Sequence, residues 1–478
     1  MKTMRVLQPI LFVALCLMMQ VDTYGSTGDN FSGNNITEYH INTAEELAAI
    51  CTNSHDRLYV LGSDITIPPG WVPIGHGAPG NDAAFKGELD GRGYSIIGLD
   101  IDVTCSGAFG LFGKLEGANI SNLVLVDARM QVAGDVSGHK LTAGLLAGEA
   151  VGSTISNVIV ENGYISATTS GLENAIIGGV VGIATDTSFR NTGIISGVIN
   201  GGDITGGFAG RIAGTGAILE CYSHADVVGS IAGGFAGQVL GSTLPGNANH
   251  AITIAECSAT GTVSSAGNTG ALAYGIAGGF IGEGEYVFIR DSSAYGKVIG
   301  CKRAGGFVGR LSNLSRVIYA YAKGDVTVDS GFAGGFVGEL INSACVEFSF
   351  SVGSVIAVGG HESNGGEYEH TKVAVGGFVG AISGHGAPNT ITHCLSFAPW
   401  VVGDGYVNRF VGLLDHDGVN GCYAHLGSMV VREGYIIHVL PSAFGPDGAD
   451  MSSAQVEDVT KRLGWKRMHF NSNPENAK

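Results

Sequence analysis

Glu220, Glu256 and Asp291 hold the same place in three strand-like segments, LECYSHADVVG, AECSATGTV and IRDSSAYGKVIG. If those segments stack as neighbouring strands about 4.8 Å apart, the three carboxylates form one column. Carboxylates that close repel unless they are solvated or meet a cation. The spacing also resembles the carboxyl pair of a retaining glycosidase. Earlier segments place Asn122, Asn157 and Asn191 in the same column. An exposed corner at which Asn, Asp and Glu are interchangeable accounts for all six without chemistry, and we favour it, since matched spacing alone is weak evidence of a site.

A second constellation is basic. Arg290, Lys297, Lys302, Arg303, Arg310, Arg316 and Lys323 are seven of the chain's 25 basic residues, in a chain of formal charge −17. Gathered in one groove, Arg290, Lys302, Arg303, Arg310 and Arg316 could grip the carboxylates or sulfates of an anionic polysaccharide. A Lys or Arg there could also act as base in β-elimination. The plainer account, which we prefer, has these charges projecting in several directions and neutralised by Asp291 and Asp325. His361, Glu362, Glu367, Glu369 and His370 crowd one insertion, yet match no defined ligand spacing, so no metal is expected. Tyr222, Tyr295, Tyr319 and Tyr321 do not share one column, so an aromatic strip is not expected either.

Sequence motifs of common enzymes are missing. There is no Gly-x-Ser-x-Gly, no His-Glu-x-x-His and no phosphate-binding loop. The one Gly-x-Gly-x-x-Gly match, GHGAPG at Gly75 to Gly80, holds Pro79 and lacks a strand–helix context, so it reads as a loop and no cofactor is expected. The acidic balance argues against nucleic acid as a partner. Residues 1–25 read as a secretory signal, with Lys2 and Arg5 ahead of an apolar run from Ile10 to Met19 that is too short to span a bilayer. No other segment is long and apolar enough for a membrane span. Eight cysteines follow the signal, without a CxxC pair, and their pairing is open.

What must position all these residues is a repeat. GGFVG occurs at Gly305, Gly334 and Gly376, and relaxed copies extend the series to ten, centred on Leu111, Leu145, Val180, Phe208, Phe235, Phe280, Phe307, Phe336, Phe378 and Phe410. Most intervals are 27 to 35 residues, and two are longer, at 45 and 42. β-Branched runs separated by glycine or polar turns fill the intervals, without a helical period. A propeller blade needs about 40–45 residues, so these shorter units read as coils of a β-helix. The motif is expected to lie within a strand. Gly305, Phe307 and Gly309 would then share the inward face, and the phenylalanines of successive coils would stack. The glycines would also supply positive φ at the corners.

Both ends change character, as a solenoid with unpaired end strands requires. Thr43-Ala-Glu-Glu46 is a capping box opening a short helix through Leu47 and Ile50, and Ser452-Ser-Ala-Gln455 opens another, stopped by Gly464. The Gly-Φ-x-Gly copies, each followed by an Asn-Cys-Tyr-Ala-like strand, resemble the GLUG-motif repeats of secreted and surface proteins. WVPIGHGAPGNDAAFKGELDGRGYSIIGLDI (Trp71 to Ile101) is similar to the segment leading into such arrays, and MSSAQVEDVTKRLGW to their closing helix. The resemblance covers nearly all of the chain after the signal. It implies a right-handed parallel β-helix placed outside the cell, in adhesin-like proteins or beside secreted proteases, and defines no catalytic set.

The expected organisation is a signal over 1–25, a linker over 26–40, an N-terminal cap and leading strands over 41–104, the repeats over 105–427 and a closing segment over 428–478. The expected function is binding of carbohydrate or another surface partner. The alternative is a carbohydrate-active enzyme, lyase or glycosidase, working in a groove along the helix.

Overall fold

A computed structural model describes residues 37–50, 57–75, 84–132, 140–167, 174–242, 252–265, 275–359, 373–384, 389–415 and 418–456. The signal, most of the linker, the insertion residues His361, Glu362, Glu367, Glu369 and His370, and Gly464 lie outside these residues. The chain divides into Met1–Thr37 and Glu38–Lys478, and the coils belong wholly to the second unit.

The protein is an all-β parallel solenoid of about ten turns. The turns build two ten-stranded sheets and one broad sheet of 34 strands. One coil shows the plan. Arg303–Gly305 lies in the first ten-stranded sheet and Val308–Ser312 in the second. Arg316–Ile318, Tyr321–Ala322 and Val326–Val328 then cross the broad sheet. Each pairs in parallel with its counterpart one coil on, as Arg303 with Phe332, Val308 with Val337 and Tyr321 with Phe350. We number the coils by the strands of the first sheet, so that Gly107–Phe109 opens coil 1 and Tyr406–Asn408 opens coil 10.

The glycine motif lies at a corner, not within a strand. Gly305 ends one strand, Gly306 and Phe307 make the bend, and Val308 begins the next. Both Phe307 and Val308 are fully buried, which strict strand alternation forbids and a bend allows. Their N–H groups share one acceptor, the Phe336 carbonyl of the next coil, each at 2.9 Å. The positive φ expected for these glycines is absent: Gly305, Gly306 and Gly309 all stay outside the left-handed region. Close approach is what requires them. A Cβ on Gly309 would stand 2.6 Å from Ile276 Cγ2 and 2.7 Å from the Gly282 oxygen, because the two ten-stranded sheets pack against each other.

Inside the corner the phenylalanine stack is continuous. Centroids from Phe208 through Phe235, Phe280, Phe307, Phe336 and Phe378 to Phe410 are separated by 4.6, 4.8, 4.8, 4.9, 4.9 and 5.0 Å. Strand spacing dictates that interval, and parallel in-register pairing keeps the ring planes nearly parallel. All ten central residues from Leu111 to Phe410 have no exposed surface.

The ends are closed as their sequences require. Helix Ala44–Ala48 is capped by Thr43, whose hydroxyl accepts from the Glu46 N–H, while Glu46 accepts from the Asn42 N–H. Leu47 then plugs the core with no exposure. At the far end the Ser452 N–H donates to the Gln455 side chain at 2.9 Å, where a helix begins. Arg432 of the closing segment donates to the Val407 carbonyl of the last coil, and Arg409 of that coil donates to the carbonyls of Asp447 and Gly448 in the closing segment.

Candidate binding face

The acidic column stands at a left-handed turn between the first and second strands of the broad sheet. Asn122, Asn157, Asn191, Glu220, Glu256, Asp291, Tyr319, Phe348 and His393 have φ of 51, 54, 45, 57, 57, 49, 53, 47 and 54°, and Gly421 follows at 62°. Asparagine tolerates that conformation better than most residues. In coils 1 to 3 it also forms a ladder, Asn157 donating to Asn122 at 3.0 Å and Asn191 to Asn157 at 2.9 Å. The residue after the turn is buried and is often Ser, Thr or Cys. Thr192, Ser292 and Ser349 donate to the carbonyl two residues back at 2.8–2.9 Å, and the thiols of Cys221 and Cys257 do so at 3.2 Å. Each hydroxyl or thiol also accepts from the preceding coil, as Cys257 Sγ does from the Cys221 N–H at 3.4 Å. Burial pushes the thiols of Cys221 and Cys394 well above the ordinary range, so they stay protonated.

The three carboxylates are exposed and paired. Arg190 lies 3.4 Å from Glu220, and Arg290 lies 2.6 Å from Asp291 and 3.9 Å from Glu256.

The basic residues do not converge. Arg290 and Arg316 stand on the broad sheet, Arg303 and Arg310 on the two ten-stranded sheets, and Lys302 is exposed on the turn before Arg303. Their counter-ions are mostly residues that the chain order conceals. Arg310 meets Glu283 at 2.9 Å, Arg303 meets Glu339 at 2.6 Å and Arg316 meets Glu347 at 2.6 Å. Glu283 and Glu339 are largely buried. Glu283 ends a row of hydrogen bonds along the second sheet: Arg211 donates to Gln238, and Gln238 and Arg310 both donate to Glu283, each at 2.8–2.9 Å.

An aromatic strip does exist, contrary to expectation. Its three columns are the turn residues and the outward residues two and four places later. Register puts Tyr222, Ser258, Ser293, Tyr321, Phe350, Leu395 and Tyr423 in the middle column, so two of the four tyrosines do share it. Tyr319 stacks on Phe348 at 5.3 Å and Phe348 on His393 at 5.2 Å in the turn column. Tyr321 stacks on Phe350 at 5.1 Å. In the outer column stand Tyr295, Lys323, Val352, Phe397 and His425. The upper part is roofed: Phe350, Leu395 and Met451 are buried together, with Val456 and Phe397 against them. The lower part is open at Tyr295, which is 40% exposed. The signal was readable as aromatics at alternate places in YAYAK, FSFSV and HCLSF.

No family model matches the chain. Halomucin of Haloquadratum walsbyi is 33% identical over 189 residues, a stretch that makes up 38% of this chain and 2% of Halomucin. The chain thus spans about 2% of the length of that curated relative. Among solved structures, a proposed immunoglobulin A1 protease from Bacteroides ovatus aligns with a TM-score of 0.35 and 15% identity, covering 92% of both chains. A second structure, an IgA1 protease, aligns with a TM-score of 0.28 and 14% identity, over 92% of this chain and 25% of that one. Likenesses at these scores carry no argument about this chain's activity.

Proposed function

We propose that this is a secreted or cell-surface β-helix that binds a glycan or another surface partner along the face carrying the aromatic columns. The observation supporting it is the register of rings over coils 6 to 10, beside carboxylates that are each taken up by an arginine. A retaining glycosidase sets its two carboxyls in contrasting environments, whereas Glu220, Glu256 and Asp291 share one exposed setting. The GLUG-like repeats point toward the same extracellular role.

Size-exclusion chromatography of the protein mixed with neutral and acidic polysaccharides tests the reading. One glycan should co-elute with the protein at unchanged chain length. Shortening of any polymer would instead establish a carbohydrate-active enzyme and make Glu220, Glu256 and Asp291 the first residues to replace. If no glycan co-elutes and none shortens, glycan binding is overturned.

A further inference from the structure

The cations first suspected of holding an anionic ligand are largely engaged: Arg290, Arg303, Arg310 and Arg316 each lie within 2.9 Å of a carboxylate. Lys323 is placed differently. Its ammonium stands 5.0 Å from the centroid of Tyr295 and 5.2 Å from that of Tyr321, with no carboxylate in ion-pair reach among the described residues. The two rings meet at 89° with centroids 5.5 Å apart, and their hydroxyls are bonded to each other. They form two walls of a corner, and the cation is held over both.

In the runs Tyr319–Phe348–His393 and Tyr321–Phe350, parallel stacking turns ring faces toward one another, and Phe397 stands edge-on to the buried Phe350 beneath the roof. Tyr295 escapes this because its neighbour one coil down in the same column is Thr260 and its ring contact one coil up is edge-on. The residue keeps two fifths of its surface exposed, 40%, with the Lys323 ammonium over its ring. Ser258, in the adjoining column and partly exposed, adds a short hydroxyl.

We propose that the corner of Tyr295, Tyr321 and Lys323 receives an acidic sugar, its ring against Tyr295 and its carboxylate or sulfate on the Lys323 ammonium. This rests on the glycan-binding reading and names the chemical class. A single ring-held cation suits one charge on a flat, partly apolar ring. A densely charged polyanion would instead meet Glu256 and Asp291 nearby, on a molecule of formal charge −17.

The test uses the full protein in affinity electrophoresis at low salt with polygalacturonate, hyaluronate and chondroitin sulfate, each run beside its carboxyl-reduced or desulfated counterpart. At least one acidic polymer should bind about tenfold more tightly than its neutral counterpart, a preference that added salt erodes. Lys323→Met should abolish the preference. Arg316→Met, which removes a cation already paired to Glu347, should keep it. Both side chains are exposed, and unchanged thermal midpoints confirm that each variant folds. Equal binding of acidic and neutral forms, or a preference that survives Lys323→Met, overturns this proposal and leaves glycan binding intact. Failure of every polymer in the panel, neutral ones included, overturns both.

Discussion

At the scale of the residue, one turn explains most of the polar signature. A left-handed φ costs an L-residue with a long side chain more than it costs asparagine. Glu220 and Glu256 therefore sit at positions that favour another residue type. Glu220→Asn should add a rung to the asparagine ladder above Asn191, and raise stability by on the order of 1 kcal/mol. The pair it gives up, Glu220 with Arg190, is exposed on both sides and contributes little. A lower thermal midpoint for Glu220→Asn would contradict the corner account. Leu123, Val158 and Ala320 fill the buried position after the turn with apolar groups, and the other coils fill it with a small group that both donates and accepts. Cys221→Ser should therefore be nearly neutral, as Ser292 and Ser349 already occupy that place, whereas Cys221→Ala should cost about 1 kcal/mol in urea unfolding for the lost bonds.

At the scale of the element, the unit is the corner rather than the strand. It brings two consecutive buried residues inward and satisfies both their N–H groups from the next coil. Phe307→Ala removes one ring from a stack with a neighbour on each side, and should cost about 3–5 kcal/mol. Gly306→Ala should be harmful although alanine normally favours order over glycine, because the added Cβ would meet the Gly335 backbone oxygen. Chemical denaturation of the two variants checks both statements, and an unaltered Gly306→Ala would place the motif back within a regular strand. Since each coil contacts only its neighbours, either lesion should loosen adjacent coils first, visible as faster amide exchange there.

At the scale of the whole molecule, burial of ionisable groups sets how the solenoid responds to alkali. Burial pushes Cys221 and Cys394 well above the usual thiol value of 9.0, Cys345 up to about 11 and Tyr321 up to about 12. These groups are neutral when protonated, so the folded chain keeps protons that the unfolded chain has already released. Their stabilising effect is complete below the unfolded thiol value and disappears as pH rises through the folded values. Urea midpoints should thus be level up to about pH 8 and fall above about pH 9. Cys221→Ser with Cys394→Ser should flatten part of that fall. A midpoint that rises with alkali would contradict the burial of these thiols.

The amino-acid sequence by itself determined the solenoid: the number of coils, the phenylalanine stack and the capped ends follow from period and composition. Those features depend on short-range patterns, and a parallel stack converts a repeat in the chain directly into a column in space. Tertiary structure alone decided where the motif bends, since what leaves no room for a Cβ at Gly305 and Gly306 includes the backbone of the next coil at Gly338 and Gly335, which no local pattern reports. It also decided the partners of the basic residues. Arg303 finds Glu339 36 residues away, in the next coil and on a different sheet. The candidate face was half legible. The alternation in YAYAK and FSFSV was in the sequence, but its placement beside Tyr295 and Lys323 required the register of five coils. Side chains two and four places past a turn fall on one surface only once the turn's left-handed geometry is known.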